Sequence, residues 1–168
     1  MGLIDRMFGR RDNTAAALYR AVVERGRAVH WYAEGGVADT IDGRFDMIAA
    51  VLSLVLLRLE REPGGAAPGA ALAEAFVDDI DPQLREIGIG DITVGKHVGK
   101  MMSMLGGRIG AYRDGLAAGS IDGALLRNLY RDSDPGEAAL AHVRERLLAL
   151  HAQLAETPLD AVIAGRLP

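Results

Sequence analysis

The sequence predicts an all-α protein: a single compact helical domain of about six to seven helices over residues 13–168, behind a flexible basic and apolar tail over 1–12. Three observations predict it. Hydrophobic residues make up 49% of the chain but aromatics only 5%, so the apolar mass is mainly Ala, Leu, Val, Ile and Met, a set rich in helix formers. Apolar positions recur at spacings of three and four, and no segment sustains the alternation of a strand. Clusters of Gly and Pro divide these segments. With 168 residues the chain can bury a core without metal or disulfide staples, and it contains no cysteine to make either from thiolates.

The elements follow in order. Asn13 is suited to cap a helix through "TAAALYRAVVERGRAVHWYAE", ended by Gly35-Gly36. A polar turn, "VADTIDG", leads to "RFDMIAAVLSLVLLRLERE". Its apolar run at 47–57, bounded by Asp46 and Arg58, is too short to span a bilayer and is expected to be a helix surrounded by others. "PGGAAPG" at 63–69 is the expected loop. Leu72, Phe76, Ile80, Leu84 and Ile87 then step along one helical face, which Pro82 either kinks or restarts behind an Asp81 cap. Asp91 is expected to cap a long helix reaching toward Gly119, and Ser120 to start a short one. Asp134, Pro135 and Glu137 announce the next, with Leu140, Val143, Leu147, Leu150 and Leu154 as a narrow seam. Thr157-Pro158 opens a final short helix.

Charge and motifs exclude several functions. A net charge of −4 opposes general nucleic-acid binding, which needs a basic face. The start, "MGLIDRMFGRR", lacks the apolar core and cleavage site of a secretory signal, so a cytoplasmic location is expected. The stretch "GDITVGKH" places Gly90, Gly95 and Lys96 in G-x-x-x-x-G-K spacing, but no strand precedes it and His97 stands where a P-loop needs Ser or Thr. The four histidines form no i,i+4 pair and no H-E-x-x-H, and there is no G-x-S-x-G. No catalytic residue, cofactor site or metal site is expected. Trp31 and Tyr32 are expected in the core or at its rim.

Two clusters remain. Wound as a helix, the segment after 90 puts Val94, Val98, Met101, Leu105, Ile109, Tyr112 and Leu116 on one face. Gly95, Gly99, Ser103, Gly106 and Gly110 fall on an adjacent one. Such a stripe of small residues admits another backbone at close range, although each interior Gly weakens a helix by roughly 1 kcal/mol against Ala; a bend at Gly106-Gly107 is one expected consequence. Lys96 and Lys100, the chain's two lysines, stand beside the stripe. The second cluster is Asp78, Asp79 and Asp81, an acidic surface whose D-D-x-D spacing differs from the D-D-x-x-D magnesium motif of isoprenoid synthases.

Two blocks, "GVADTIDGRFDMIAAVLSLVLLRL" (36–59) and "LAEAFVDDIDPQLREIGIGDITVGKHVGKMMSMLGGRIGAYRDGL" (72–116), together with "HWYAEGG", resemble the ubiquinol–cytochrome c chaperone family, assembly factors for cytochrome b of the bc1 complex. Ala38 departs from the Pro of "GVPDT-like" versions, and Pro82 interrupts a stretch usually free of proline. The resemblance implies a bacterial, non-catalytic all-α protein that binds newly made cytochrome b before or during haem insertion. Mitochondrial members work with a small partner protein at the ribosome.

A chaperone of this kind needs an apolar surface and orienting charges rather than catalytic groups. Met47, Met101, Met102 and Met104 are candidates for an adaptable surface, Met104 foremost. Asp78, Asp79, Asp91, Lys96 and Lys100 are expected around a partner-binding turn, with Gly88, Gly90, Gly95, Gly99, Gly106 and Gly110 shaping it. A competing, purely structural reading of the acidic cluster is that Arg44 pairs internally with Asp78 and Asp79. Leu3, Ile4, Met7 and Phe8, with Arg6, Arg10 and Arg11, suit residues 1–11 to peripheral contact with an anionic inner membrane. The alternative is a small all-α enzyme or ligand carrier, using Asp78/Asp79/Asp81 for magnesium or the Gly90–Lys96 turn for phosphate.

Overall fold

The computed structural model describes residues 3–86 and 94–168, with side chains described over 14–80 and 99–168. The described elements are α1 (Leu3–Gly26), α2 (Val29–Ala33), α3 (Ile41–Glu60), a 3-10 turn at Pro63–Gly65, α4 (Ala66–Glu86), α5 (Val94–Ala118), α6 (Asp122–Asn128), α7 (Glu137–Glu156) and α8 (Leu159–Ile163). The fold is all-α, with no strand among the described residues.

Helix α3 is the axis of the molecule. It starts at Thr40, whose hydroxyl accepts from the Gly43 amide at 3.0 Å, a side-chain cap for one of the first turn's unpaired amides. From Asp46 to Leu59 every residue is buried except the half-buried Ile48, because α1, α4, α5 and α7 pack around it. Each fully buried Leu or Val here is worth about 1.5–3 kcal/mol. Arg58, expected to mark the end of the apolar run, is itself buried. Its Nε donates to the Leu154 carbonyl at 2.8 Å and its Nη2 to that of Thr157 at 3.0 Å, while Glu62 neutralises it at 2.8 Å. The guanidinium thus satisfies carbonyls at the C-terminus of α7, where the helix dipole favours a cation. The α7 seam of Leu140, Val143, Leu147, Leu150 and Leu154 is buried as its spacing predicts.

Several boundaries differ from the sequence expectation. Helix α1 runs from Leu3, so the expected tail is helical from that residue and Asn13 lies inside the helix. The helix expected to continue to Gly35 stops at Gly26 instead, which produces the extra element α2. Gly26 lies against α3, with the site of a Cβ 2.9 Å from the Ile48 Cα. Two rings reach back to close the α1 end: Trp31 Nε1 donates to the Arg25 carbonyl at 2.7 Å and the Tyr32 hydroxyl to that of Gly26 at 2.9 Å. The expected 63–69 loop ends at Gly65, and Pro68 occupies the first turn of α4, where its missing N–H is not needed. Helix α4 continues through Pro82, and α5 through Gly106-Gly107, without interruption. Helix α7 begins at Glu137 rather than behind an Asp134 cap; Asp134 instead accepts from the Gly136 amide at 2.8 Å.

Candidate functional site

Helix α5 has two unlike faces. Met101, Leu105 and Tyr112 are buried, with Ile109 and Leu116 packed on the same core. On the opposite side Gly99, Lys100, Met102, Ser103, Met104, Gly106 and Gly107 are exposed, Met102 and Met104 each at 41%. Gly99, Ser103 and Gly106 of the stripe therefore point outward, and Gly110 is half-buried. A Cβ at Gly99, Gly106, Gly107 or Gly110 would meet no atom of the described residues beyond its own stretch of helix within 4 Å, so no backbone packs against these positions among the described residues. Met47 and Met101 are core residues at 0% and 8% exposure, which reduces the expected methionine surface to Met102 and Met104.

The inner face of α5 is fixed by an ion cluster centred on the buried Asp46. Asp46 of α3, 1% exposed, accepts from Arg108 Nη2 at 2.8 Å and from Arg131 Nε at 2.7 Å. Arg131 also reaches Asp42 at 3.1 Å, and Arg108 lies over the Phe45 ring at 5.3 Å. The bond to Asp46 raises the pKa of Arg131 further. To deliver that side chain the backbone takes left-handed values, φ 51° at Arg131 and 62° at Asp132, costly for non-glycine residues and held here by the surrounding bonds. The Tyr130 hydroxyl donates to the Gly35 carbonyl at 2.6 Å, its pKa pushed up to about 12 by burial. Sequence reasoning missed this cluster because Asp46 stands at the edge of an apolar run. The available signal was an acid within a helix expected to be surrounded on all sides, since a buried carboxylate requires a partner.

The remaining expected site residues are described only in part. Asp78 and Asp79 are exposed on α4, and Asp79 accepts from the Tyr19 hydroxyl at 2.6 Å; burial and this carboxylate raise the tyrosine pKa. Arg44 pairs with Asp39 at 2.8 Å, not with Asp78 or Asp79 as the competing structural reading required. No ion pair joins those aspartates to Lys100 among the described residues. Gly88, Gly90 and Asp91 lie outside the described residues. Gly95 and Lys96 belong to the first turn of α5, but the side chains of Asp81 and Lys96 lie outside those described.

A third grouping was not anticipated. His30 Nδ1 lies 3.0 Å from His142 Nε2, and Glu34 Oε2 lies 3.8 Å from the same nitrogen. Burial, then the nearby His142 and Arg146, hold the His30 pKa below its ordinary value. His30 and Glu34 do stand four residues apart in "HWYAE", a spacing that a search for histidine pairs passes over; His142 comes from 112 residues away.

The profile of the ubiquinol-cytochrome C chaperone family matches residues 33–167, from the end of α2 through α8. The chain belongs to this family. The crystal structure of the Cbp3 homolog from Brucella abortus is similar, with a TM-score of 0.85 at 31% identity over 98% of this chain and 93% of that one. No curated protein matches by sequence. No helix among the described residues is long and apolar enough to cross a membrane.

Proposed function

We propose that this family member is a non-catalytic chaperone that receives newly made cytochrome b on the outer face of α5 and supports assembly of the ubiquinol–cytochrome c reductase (bc1) complex. The observation that carries this reading is the outward glycine stripe. At least three exposed interior glycines, each costing roughly 1 kcal/mol of helix propensity, face space open among the described residues. A client helix can approach such a stripe closely, as small residues permit between membrane helices. Met102 and Met104 supply an adaptable apolar rim. Lys96 and Lys100, with Asp78, Asp79 and Asp91, supply charges that set orientation and allow release. The proposal extends to a bacterial cytoplasmic location, peripheral inner-membrane contact through residues 1–11, and cooperation with the ribosome or a small partner protein.

Reversing Lys96 and Lys100 to Glu together should reduce cytochrome b accumulation several-fold in cells while leaving the purified protein's stability unchanged. Normal bc1 assembly in that strain would remove the lysines from the client site. The enzyme or ligand-carrier alternative is separated by calorimetry with ATP and with magnesium pyrophosphate, for which the chaperone reading predicts no saturable heat.

A further inference from the structure

We propose that His30, Glu34 and His142 form a binding site for a divalent transition metal, with zinc the ion that fits their chemistry best. The ligand atoms of the three residues all lie within 4.8 Å of one another. Zinc bound tetrahedrally holds nitrogen and oxygen ligands at about 2.0–2.2 Å, which sets neighbouring ligand atoms roughly 3.3 Å apart. The 3.0 Å separation of the imidazole nitrogens and the 3.8 Å separation from Glu34 to His142 bracket that value. Small side-chain rotations would bring all three onto one ion.

The donor set selects the metal. Two imidazoles and one carboxylate suit zinc, nickel or copper, whereas magnesium and calcium prefer oxygen ligands. Three protein ligands leave a coordination position for water or for a group brought by a partner. The site has an entry path, because the Glu34 side chain is 61% exposed. It is also partly built: the His30 ring lies against that of Trp31, tilted by 46° with centroids 4.1 Å apart, and Trp31 is buried. Arg25 and Arg146 act on His30 as positive charges and oppose a cation, so Glu34 is required to offset them. A bound ion would tie the end of α2 to α7, where Glu34 now lies 3.8 Å from His142 and the two histidines touch. That contact alone, with one ring donating to the other, is the competing account of the geometry.

The test uses the full, untagged, chelator-treated chain titrated with zinc by calorimetry and with copper by fluorescence. Trp31, the chain's one tryptophan, reports directly, since a copper ion on His30 would quench it. The expected result is one equivalent bound, a zinc-dependent rise in Tm and strong quenching of Trp31. His142→Gln and Glu34→Gln should each weaken binding at least about tenfold, the scale on which zinc sites lose affinity even for supporting residues. His151→Gln should bind as the parent does. If His142→Gln loses helical circular dichroism, the exposed Glu34→Gln carries the test. Absence of saturable binding, or equal affinity in parent and Glu34→Gln, overturns the proposal. No client is involved, so the outcome is independent of the chaperone reading.

Discussion

Gly43 and Gly106 both lie within long helices, but they face opposite surroundings. A Cβ at Gly43 would fall on the Ala38 carbonyl oxygen, so the turn entering α3 leaves no space for a side chain. A Cβ at Gly106 would meet nothing among the described residues. Gly26, Gly65 and Gly115 are of the first kind, with backbone or side-chain atoms crowding the position; Gly99, Gly107 and Gly110 are of the second. The inward glycines are explained by this chain's own packing. The outward ones weaken α5 with no compensating contact among the described residues, and that asymmetry is the physical basis for placing a partner on this face.

The same contrast ranks the effects of substitution. The largest is expected on the inner side of α5: Asp46→Ala would strand the largely buried Arg108 and destabilise the protein by about 3 kcal/mol, measured as a lower urea midpoint. A loss below about 1 kcal/mol would mean that the two arginines relax to solvent. Gly43→Ala should cost about 1–3 kcal/mol through overpacking, seen in the same denaturation experiment. Gly106→Ala should do the reverse and stabilise by up to about 1 kcal/mol; destabilisation would show that the stripe is packed after all. Lys100→Glu, on an exposed position without an ion-pair partner among the described residues, should shift the midpoint least, within about 0.5 kcal/mol. The account is sharpened if Gly106→Leu leaves the fold intact while reducing cytochrome b accumulation, since a large side chain on the stripe would block the approach it is proposed to allow.

Much of the fold was legible because periodicity is local. The apolar centre of α3, the five-residue seam of α7 and the core face of α5 each follow from spacings of three and four. The break between α1 and α2 was not, because it depends on the Trp31 and Tyr32 rings turning back to the Arg25 and Gly26 carbonyls, a tertiary arrangement. Periodicity also assigns Gly99, Ser103, Gly106 and Gly110 to one stripe without saying whether that stripe meets the molecule or the solvent. The Asp46 cluster and the His30–His142 pair share another limit. Their partners stand 62, 85 and 112 residues away, and no local pattern joins them. Arg44 shows the converse, since a nearby acid, Asp39, holds the guanidinium that the competing structural reading assigned to the distant Asp78/Asp79 cluster.

The central claim, that the outer face of α5 receives the client, is tested most directly by a photo-crosslinking amino acid placed at Ser103 or, as a control, at the exposed Glu145 on α7, in cells making cytochrome b. The account predicts a cytochrome b adduct from position 103 and none from 145. Equal adducts from both positions, or an adduct from 145 alone, would contradict it.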